Sequence, residues 1–340
     1  MKHYLQMLTS KQSLSHEEMK AVGSALFKED VSDSEIAGLL IALKSKGESV
    51  GEITGLVEAL REQALPFTSR IKGVMDNCGT GGDGTHSFNI STTSSFVIAG
   101  AGIKVAKHGN RSVSSKTGSA DVLEMLGVDL EQPPAAVAEL LDEVGLAFLF
   151  APYVHPNLKR IMKVRQDLKI PTIFNLIGPL TNPVSLDFQL LGLYGRQYVG
   201  LFADVLKKLG RKRAVVVNGA GFMDEASLAG ENVMAVLENG CVHHFTFSPE
   251  EVGLAAVPNE AIRGGDAAEN ARILVSVLEG KKGVYRDTVL LNAGLGIYAG
   301  GRAATVKEGI KRAEESIDSG KAYSILRKLA EKSSRRRMVL

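Results

Sequence analysis

Val74-Met75-Asp76-Asn77-Cys78-Gly79-Thr80-Gly81-Gly82-Asp83-Gly84 passes from a short β-like run straight into a glycine loop. The same change recurs downstream. Ile103 to Ala106 leads into Lys107-His108-Gly109-Asn110-Arg111, residues 147–150 lead into Ala151-Pro152-Tyr153-Val154-His155-Pro156, and 214–217 lead into Asn218-Gly219-Ala220-Gly221-Phe222-Met223-Asp224-Glu225. Short strands alternating with glycine turns and helical stretches predict an α/β domain with a central, largely parallel sheet flanked by helices. Ligands of such sheets bind beyond the carboxyl ends of the strands, where these loops lie.

Upstream of the first strand the pattern is helical. Ser15 with Glu18, Ser32 with Glu35 and Ser49 with Glu52 fit the capping box, in which two side chains satisfy amides at a helix start. Ile36, Leu39, Leu40 and Leu43, and again Ile53, Leu56, Val57 and Leu60, recur at i, i+3, i+4, i+7, so each helix has a stripe to bury. Gly47 stops the first of these two helices and Pro66 closes the second. We read 1–70 as a small N-terminal all-α domain and 71–340 as the large α/β domain, the small domain being joined by a helical segment near 155–185. Residues 155–169 have helical spacing through Leu158, Ile161, Met162 and Arg165. The Pro- and Asn-punctuated run 170–183 suits a connection between domains.

The 340 residues carry 40 Lys+Arg against 38 Asp+Glu, so no global charge draws the chain to nucleic acid. Two cysteines make no disulfide framework, and the start lacks the apolar run of a signal peptide; both fit a reduced, cytoplasmic setting. Glycine is in excess, 36 residues against a usual ~7%. Ten of these glycines fall between Gly73 and Gly127.

The 79–84 loop formally matches the dinucleotide fingerprint. That motif requires an acidic residue about 20 positions on for the ribose, and none occurs from Gly84 to Ala120. No Lys-Ser or Lys-Thr follows at the spacing of a Walker loop. The acid-free interval instead holds Lys104, Lys107, Arg111 and Lys116 with many hydroxyls, and Asn89 to Thr92 and Thr117 to Ser119 each precede a helical run. Freed amides, helix N-termini and basic side chains together make a cradle for a highly charged anion. Asp224-Glu225, after a β-like run and a Gly-rich turn, is placed to hold a Mg²⁺ that bridges phosphate oxygens.

In their order, Asp76 to Asp83, Asn89 to Thr92, Lys107 to Arg111, Ser115 to Asp121, the Phe174 to Pro183 run and Asp224-Glu225 resemble the anthranilate phosphoribosyltransferase family over nearly the whole chain. The resemblance implies Mg²⁺-dependent transfer of the phosphoribosyl group of 5-phosphoribosyl 1-diphosphate to the amine of anthranilate, in tryptophan biosynthesis. It also implies a homodimer through the helical domain, a site in the cleft between domains and two Mg²⁺ per subunit; the need to expel water predicts closure of that cleft, and the lack of a long apolar run and the near-neutral charge predict no membrane or nucleic-acid partner. Carried over by motif, the phosphoribosyl diphosphate contacts are Gly79, Gly82, Asp83, Ser87, Asn89, Ile90, Ser91, Thr92, Lys107, His108, Gly109, Asn110, Arg111, Ser112, Val113, Ser114, Ser115 and Ser119. Ser91, Asp224 and Glu225 hold the metal. Gly79, Asn110, His155, Arg165 and Gly178 face anthranilate.

No proton-transfer residue is assigned, because an aromatic amine is already neutral at pH 7; Lys107 and Arg165 give electrostatic support. Thr117, Asn157, Leu158 and Lys169 depart from the commonest family pattern. The last three place a question on the acceptor channel. Two alternatives stand beside this reading: a pyrimidine nucleoside phosphorylase of similar architecture, and a non-enzymatic relative that binds nucleic acid.

Overall fold

The structure is a computed structural model that describes residues 1–67, 71–112 and 117–337. It divides into two compact units, Met1–Pro66 with Pro152–Pro183, and Phe67–Ala151 with Val184–Leu340.

The first unit begins with four helices, α1 (Lys2–Thr9), α2 (His16–Ala25), α3 (Asp33–Lys46) and α4 (Val50–Glu62). All three capping boxes form, with Ser15, Ser32 and Ser49 each accepting from the amide three residues on. Both apolar stripes are buried to 1% exposure or less. Glu52 does more than cap. One oxygen accepts the Leu14 amide at 3.0 Å, and the other accepts the Ser49 amide and the Lys46 ammonium, each at 2.8 Å. Both side chains are nearly sealed from water. Removing one partner of a buried pair strands the other charge, so Glu52→Ala should cost about 3–5 kcal/mol of this unit's stability, read from urea unfolding. An unchanged midpoint would contradict the argument.

The run 170–183 groups with this unit up to Pro183, and the chain resumes the second unit at Val184. The run forms a short helix, Phe174–Ile177, and a 3-10 turn, Gly178–Leu180, whose Leu180 carbonyl accepts from Arg61 Nε at 2.9 Å. Its apolar residues Ile173, Leu176, Ile177 and Leu180 are buried, so Pro and Asn here shape a packed turn. The helix Lys159–Leu168 buries Ile161 and Val164, while Met162 and Arg165 stay half-buried. It ends on Lys169 in the left-handed conformation, φ 54°. That conformation accounts for the glycine of the commonest family pattern, and it places Lys169 on an exposed helix end. Lys169→Gly should therefore gain about 0.5–1 kcal/mol in thermal or urea unfolding; a loss would show that the turn is not strained.

The second unit is built on seven strands: β1 (Val74–Gly79), β2 (Lys104–Gly109), β3 (Leu146–Phe150), β4 (Phe188–Gly192), β5 (Arg213–Asn218), β6 (Asn232–Glu238) and β7 (Cys241–Phe247). They form one sheet of order β3-β2-β1-β4-β5-β6-β7. The first five are parallel, β6 runs antiparallel to β5, and β7 pairs antiparallel with β6 at the edge. Chain order moves from β1 outward to β3, then returns to β4 on the other side of β1. Strand order thus reverses at β1, the position where ligands collect in open parallel sheets. The helices Ile90–Gly100 and Val284–Ala299 are buried almost all round. Among the described residues no helix is long and apolar enough to cross a membrane.

Candidate active site

β1 and β4 end on partnered glycines, Gly79 opposite Gly192. Their missing side chains leave the space that Asp224 occupies. A Cβ on Gly79 would fall 2.6 Å from the Asp224 carbonyl oxygen, and one on Gly192 would fall 2.6 Å from its carbonyl carbon. Asp224 then caps the glycine loop: its carboxylate accepts the Gly81 amide at 2.6 Å, and its own amide lies 3.4 Å from Asp83 Oδ2. Asp83 shapes the loop beyond, accepting from the Thr85 amide at 3.1 Å and the Thr85 hydroxyl at 2.8 Å.

Three carboxylates therefore share one end of the sheet. Burial, reinforced by the charges of Asp83 and Glu225, pushes the Asp224 carboxyl well above the usual carboxylate range. Burial also pushes Glu225 up to about 7, against the opposing pull of the Lys107 ammonium and of hydrogen bonds from Ser91. Lys107, itself buried, donates to the Asn77 carbonyl at 2.7 Å, and Asn77 Nδ2 donates to the Ser91 carbonyl at 2.9 Å. Ser91 lies in the first turn of the helix Ile90–Gly100, whose free amides favour anions. Crowded hard-oxygen donors that resist ionising together are relieved by a divalent cation, and oxygen ligands suit Mg²⁺. Among the described residues no three His, Cys, Asp or Glu side chains are placed to hold a metal ion by themselves. Mg²⁺ commonly completes its shell with substrate phosphates and water.

Two family descriptions match the chain: "Glycosyl transferase family, helical bundle domain" over residues 2–64 and "Glycosyl transferase family, a/b domain" over 71–323. Anthranilate phosphoribosyltransferase from Bacillus mycoides (strain KBAB4) is 58% identical over 326 residues, 96% of each chain; that from Bacillus anthracis (strain A0248) is equally similar. The chain belongs to the anthranilate phosphoribosyltransferase family. The crystal structure of the Thermus thermophilus anthranilate phosphoribosyltransferase aligns with a TM-score of 0.92 and 42% identity, covering 97% of this chain and 98% of that one. The Saccharomyces cerevisiae anthranilate phosphoribosyltransferase in complex with PRPP and Mg aligns at 0.89 and 27%, covering 98% of each.

The residues that the resemblance assigns to diphosphate all lie in the second unit. Gly79, Gly82 and Asp83 follow β1. Ser87 is bridged to Arg263, and Asn89, Ile90, Ser91 and Thr92 open the next helix. Lys107, His108 and Gly109 end β2, with Asn110 and Ser112 beyond; the His108 amide donates to buried Asp76 at 3.2 Å. Ser119 donates to the Asn110 carbonyl at 3.2 Å. Arg111 has turned onto Asp121 at 2.7 Å and Glu124 at 2.9 Å, just past the acid-free interval, with its guanidinium over the Phe150 ring. A phosphate would compete with those carboxylates for it. Val113, Ser114 and Ser115 lie outside the described residues.

Of the residues that anthranilate phosphoribosyltransferases suggest for the acceptor, Gly79 and Asn110 lie in the second unit, and His155, Arg165 and Gly178 in the first. His155 is kept neutral, its pKa pushed down to about 4 by burial and by the Arg61 charge, against a hydrogen bond to the Thr181 backbone. Arg165 reaches Met162 Sδ at 3.0 Å and Asn175 Oδ1 at 3.3 Å, and lies over the Phe174 ring. Among the described residues no carboxylate pairs with it. A Cβ on Gly178 would meet nothing within 4 Å. Sequence reasoning missed Gly192, which opens no loop motif of its own, and Asn175, which orients Arg165 and accepts the Thr172 amide at 3.0 Å.

Proposed function

We infer that this chain transfers the phosphoribosyl group of 5-phosphoribosyl 1-diphosphate to the amine of anthranilate, with Mg²⁺, in tryptophan biosynthesis. The observation that carries the assignment to residues is the seating of Asp224 and Glu225 over the paired glycine ends of β1 and β4, beside the phosphate-type loop and Lys107. The bond from the anomeric carbon to diphosphate breaks with its electron pair leaving on diphosphate, a carbon–nitrogen bond forms, and the amine gives up a proton to water or to the departing diphosphate. Positive charge grows on the ribose ring and negative charge on the leaving group, so the main demand is electrostatic. Asp224, Glu225 and Ser91 would hold Mg²⁺, which would supply positive charge to the departing diphosphate. Lys107, the amides of residues 82–84 and the N-terminus of the helix Ile90–Gly100 supply the rest, and alignment of the two substrates supplies much of the remaining rate.

Arg165 carries the acceptor reading. A half-buried guanidinium with no carboxylate partner among the described residues suits the ortho carboxylate of anthranilate. Arg165→Ala should raise the anthranilate KM by about 10–50-fold, the loss expected of a hydrogen bond to a charged group. The KM for phosphoribosyl diphosphate should move by less than about twofold; a loss confined to that substrate would overturn the placement. Two Mg²⁺ per subunit and a homodimer are the finer readings that family resemblance supports, to be checked by metal stoichiometry in the presence of phosphoribosyl diphosphate and by sedimentation. The activity itself is tested by depletion of anthranilate fluorescence with and without Mg²⁺. Phosphate-dependent cleavage of thymidine or uridine, without anthranilate turnover, would favour a nucleoside phosphorylase instead.

A further inference from the structure

The segment from Ala220 to Gly230 has no helix, and its one ladder contact is the bridge between Gly219 and Met223. Yet residues 225–228 are buried, so their peptide groups need partners away from water. Asn292 and Asn232 provide them at Ala226 and Ser227, the Val257 amide serves the Leu228 carbonyl, and Asn218 and Asn259 brace the backbone on either side. Asn218 Nδ2 donates to the Leu193 and Met223 carbonyls at 2.7 and 3.3 Å. Asn232 accepts the Ser227 amide at 2.7 Å and donates to the Ser227 and Gly230 carbonyls, each at 3.0 Å. Asn259 donates to the Ala220 carbonyl at 2.9 Å and accepts the Ser227 hydroxyl at 2.7 Å. Asn292, from the buried helix Val284–Ala299, accepts the Ala226 amide and donates to the Ala226 carbonyl, both at 2.9 Å, and to the Thr288 carbonyl at 3.0 Å.

Asn292 differs from the other three in its place. It grips both polar groups of the residue directly after Glu225, as a neighbouring strand would, and is itself fully buried and far in sequence from any substrate motif. Glu225 is thereby fixed at two points, its carboxylate by Ser91 and its backbone by Asn292. A neutral amide can accept and donate at once; aspartate keeps the shape but loses the donor, and alanine leaves two buried peptide groups unpaired. We propose that Asn292 is a positioning residue of the transfer reaction, holding the Glu225 peptide so that its carboxylate meets Mg²⁺ and diphosphate without rearrangement.

The proposal rests on the assignment of Glu225 to the metal, and the test separates the two. Binding of phosphoribosyl diphosphate is followed by calorimetry at increasing Mg²⁺ in the wild type, Asn292→Asp, Glu225→Gln and the double variant. Asn292→Asp should raise the Mg²⁺ needed for half-saturation by about tenfold or more while the anthranilate KM stays within about twofold. The double variant should be no worse than Glu225→Gln alone, because both changes act through one carboxylate. Unchanged Mg²⁺ dependence, or additive effects, overturns the proposal. If Glu225→Gln binds Mg²⁺ normally, the metal assignment fails; if it is defective while Asn292→Asp is normal, the positioning role alone fails. Should Asn292→Asp not fold, hydrogen exchange of the wild-type enzyme decides: the Ala226 amide should be protected before any ligand is added, and rapid exchange there overturns a preformed clamp.

Discussion

Asp224→Ala combined with Glu225→Ala is expected to lower Mg²⁺-dependent turnover by about 10³-fold or more, because removing one group that meets developing charge typically costs 10²–10³. The same change should not harm the fold in metal-free buffer. Asp224, Glu225 and Asp83 repel one another in a desolvated corner, which is why burial and mutual charge raise the first two carboxyls. Replacing two of the three relieves that repulsion and offsets the loss of the Gly81 hydrogen bond and of the charge facing Lys107, so the urea midpoint without Mg²⁺ should stay close to that of the wild type. Added Mg²⁺ with phosphoribosyl diphosphate should then stabilise the wild type and leave the double variant unmoved, since only a state that binds ligand gains from it. Near-normal rates, or equal stabilisation of both proteins, would sink the metal assignment. The two readouts separate catalysis from folding, because the carboxylates serve charge and geometry at the ligand, not the core.

What the sequence makes legible and what it hides follow from how locally each feature is encoded. The capping boxes of Ser15, Ser32 and Ser49 are visible because both partners sit within one turn. The glycine loop, the acid-free interval and the Asp224-Glu225 pair are visible because chemistry of one kind is concentrated in a few consecutive residues. β4 is obscured. Phe188 to Gly192 follows a Pro-rich turn and leads into no glycine loop, so nothing marks it as the strand that completes the floor under Asp224. Arg111 is misleading in another way. Its charge belongs to the basic interval, but its geometry is decided by Asp121 and Glu124 one helix start further on. Glu52 reads as a cap and is also a buried ion-pair partner, since the Leu14 and Lys46 contacts depend on how α4 packs. Asn292 is the extreme case: 66 residues separate it from the peptide it grips, and a lone asparagine in an apolar helix leaves no periodic trace.

Gly192→Ala should reduce kcat/KM for phosphoribosyl diphosphate by about 100-fold while leaving the anthranilate KM nearly unchanged. The effect is steric and does not depend on left-handed backbone. An added methyl would fall inside contact distance of the Asp224 carbonyl oxygen, 2.6 Å from its carbonyl carbon and 3.3 Å from the Glu225 amide nitrogen. These are backbone atoms, so no rotamer change can make room. The strand cannot yield either, because Gly192 is paired with Gly79 on one side and Val217 on the other. The Asp224-Glu225 peptide must therefore move, and a shift near 1 Å at a charge-stabilising group costs about 10² in rate. Gly79→Ala should behave alike, with its methyl aimed at the Asp224 side chain as well as its backbone. Gly51→Ala is the size-matched control: its methyl would meet ordinary contacts, 3.5 Å from the His16 nitrogen, in the helical unit, and activity should hold. The decisive measurement is the Mg²⁺ titration of each variant. A displaced carboxylate pair raises the Mg²⁺ requirement along with the loss of rate, whereas a general packing defect lowers stability and rate at unchanged Mg²⁺ dependence. Rates within about threefold of the wild type would mean that the space over β1 and β4 is not where Asp224 acts.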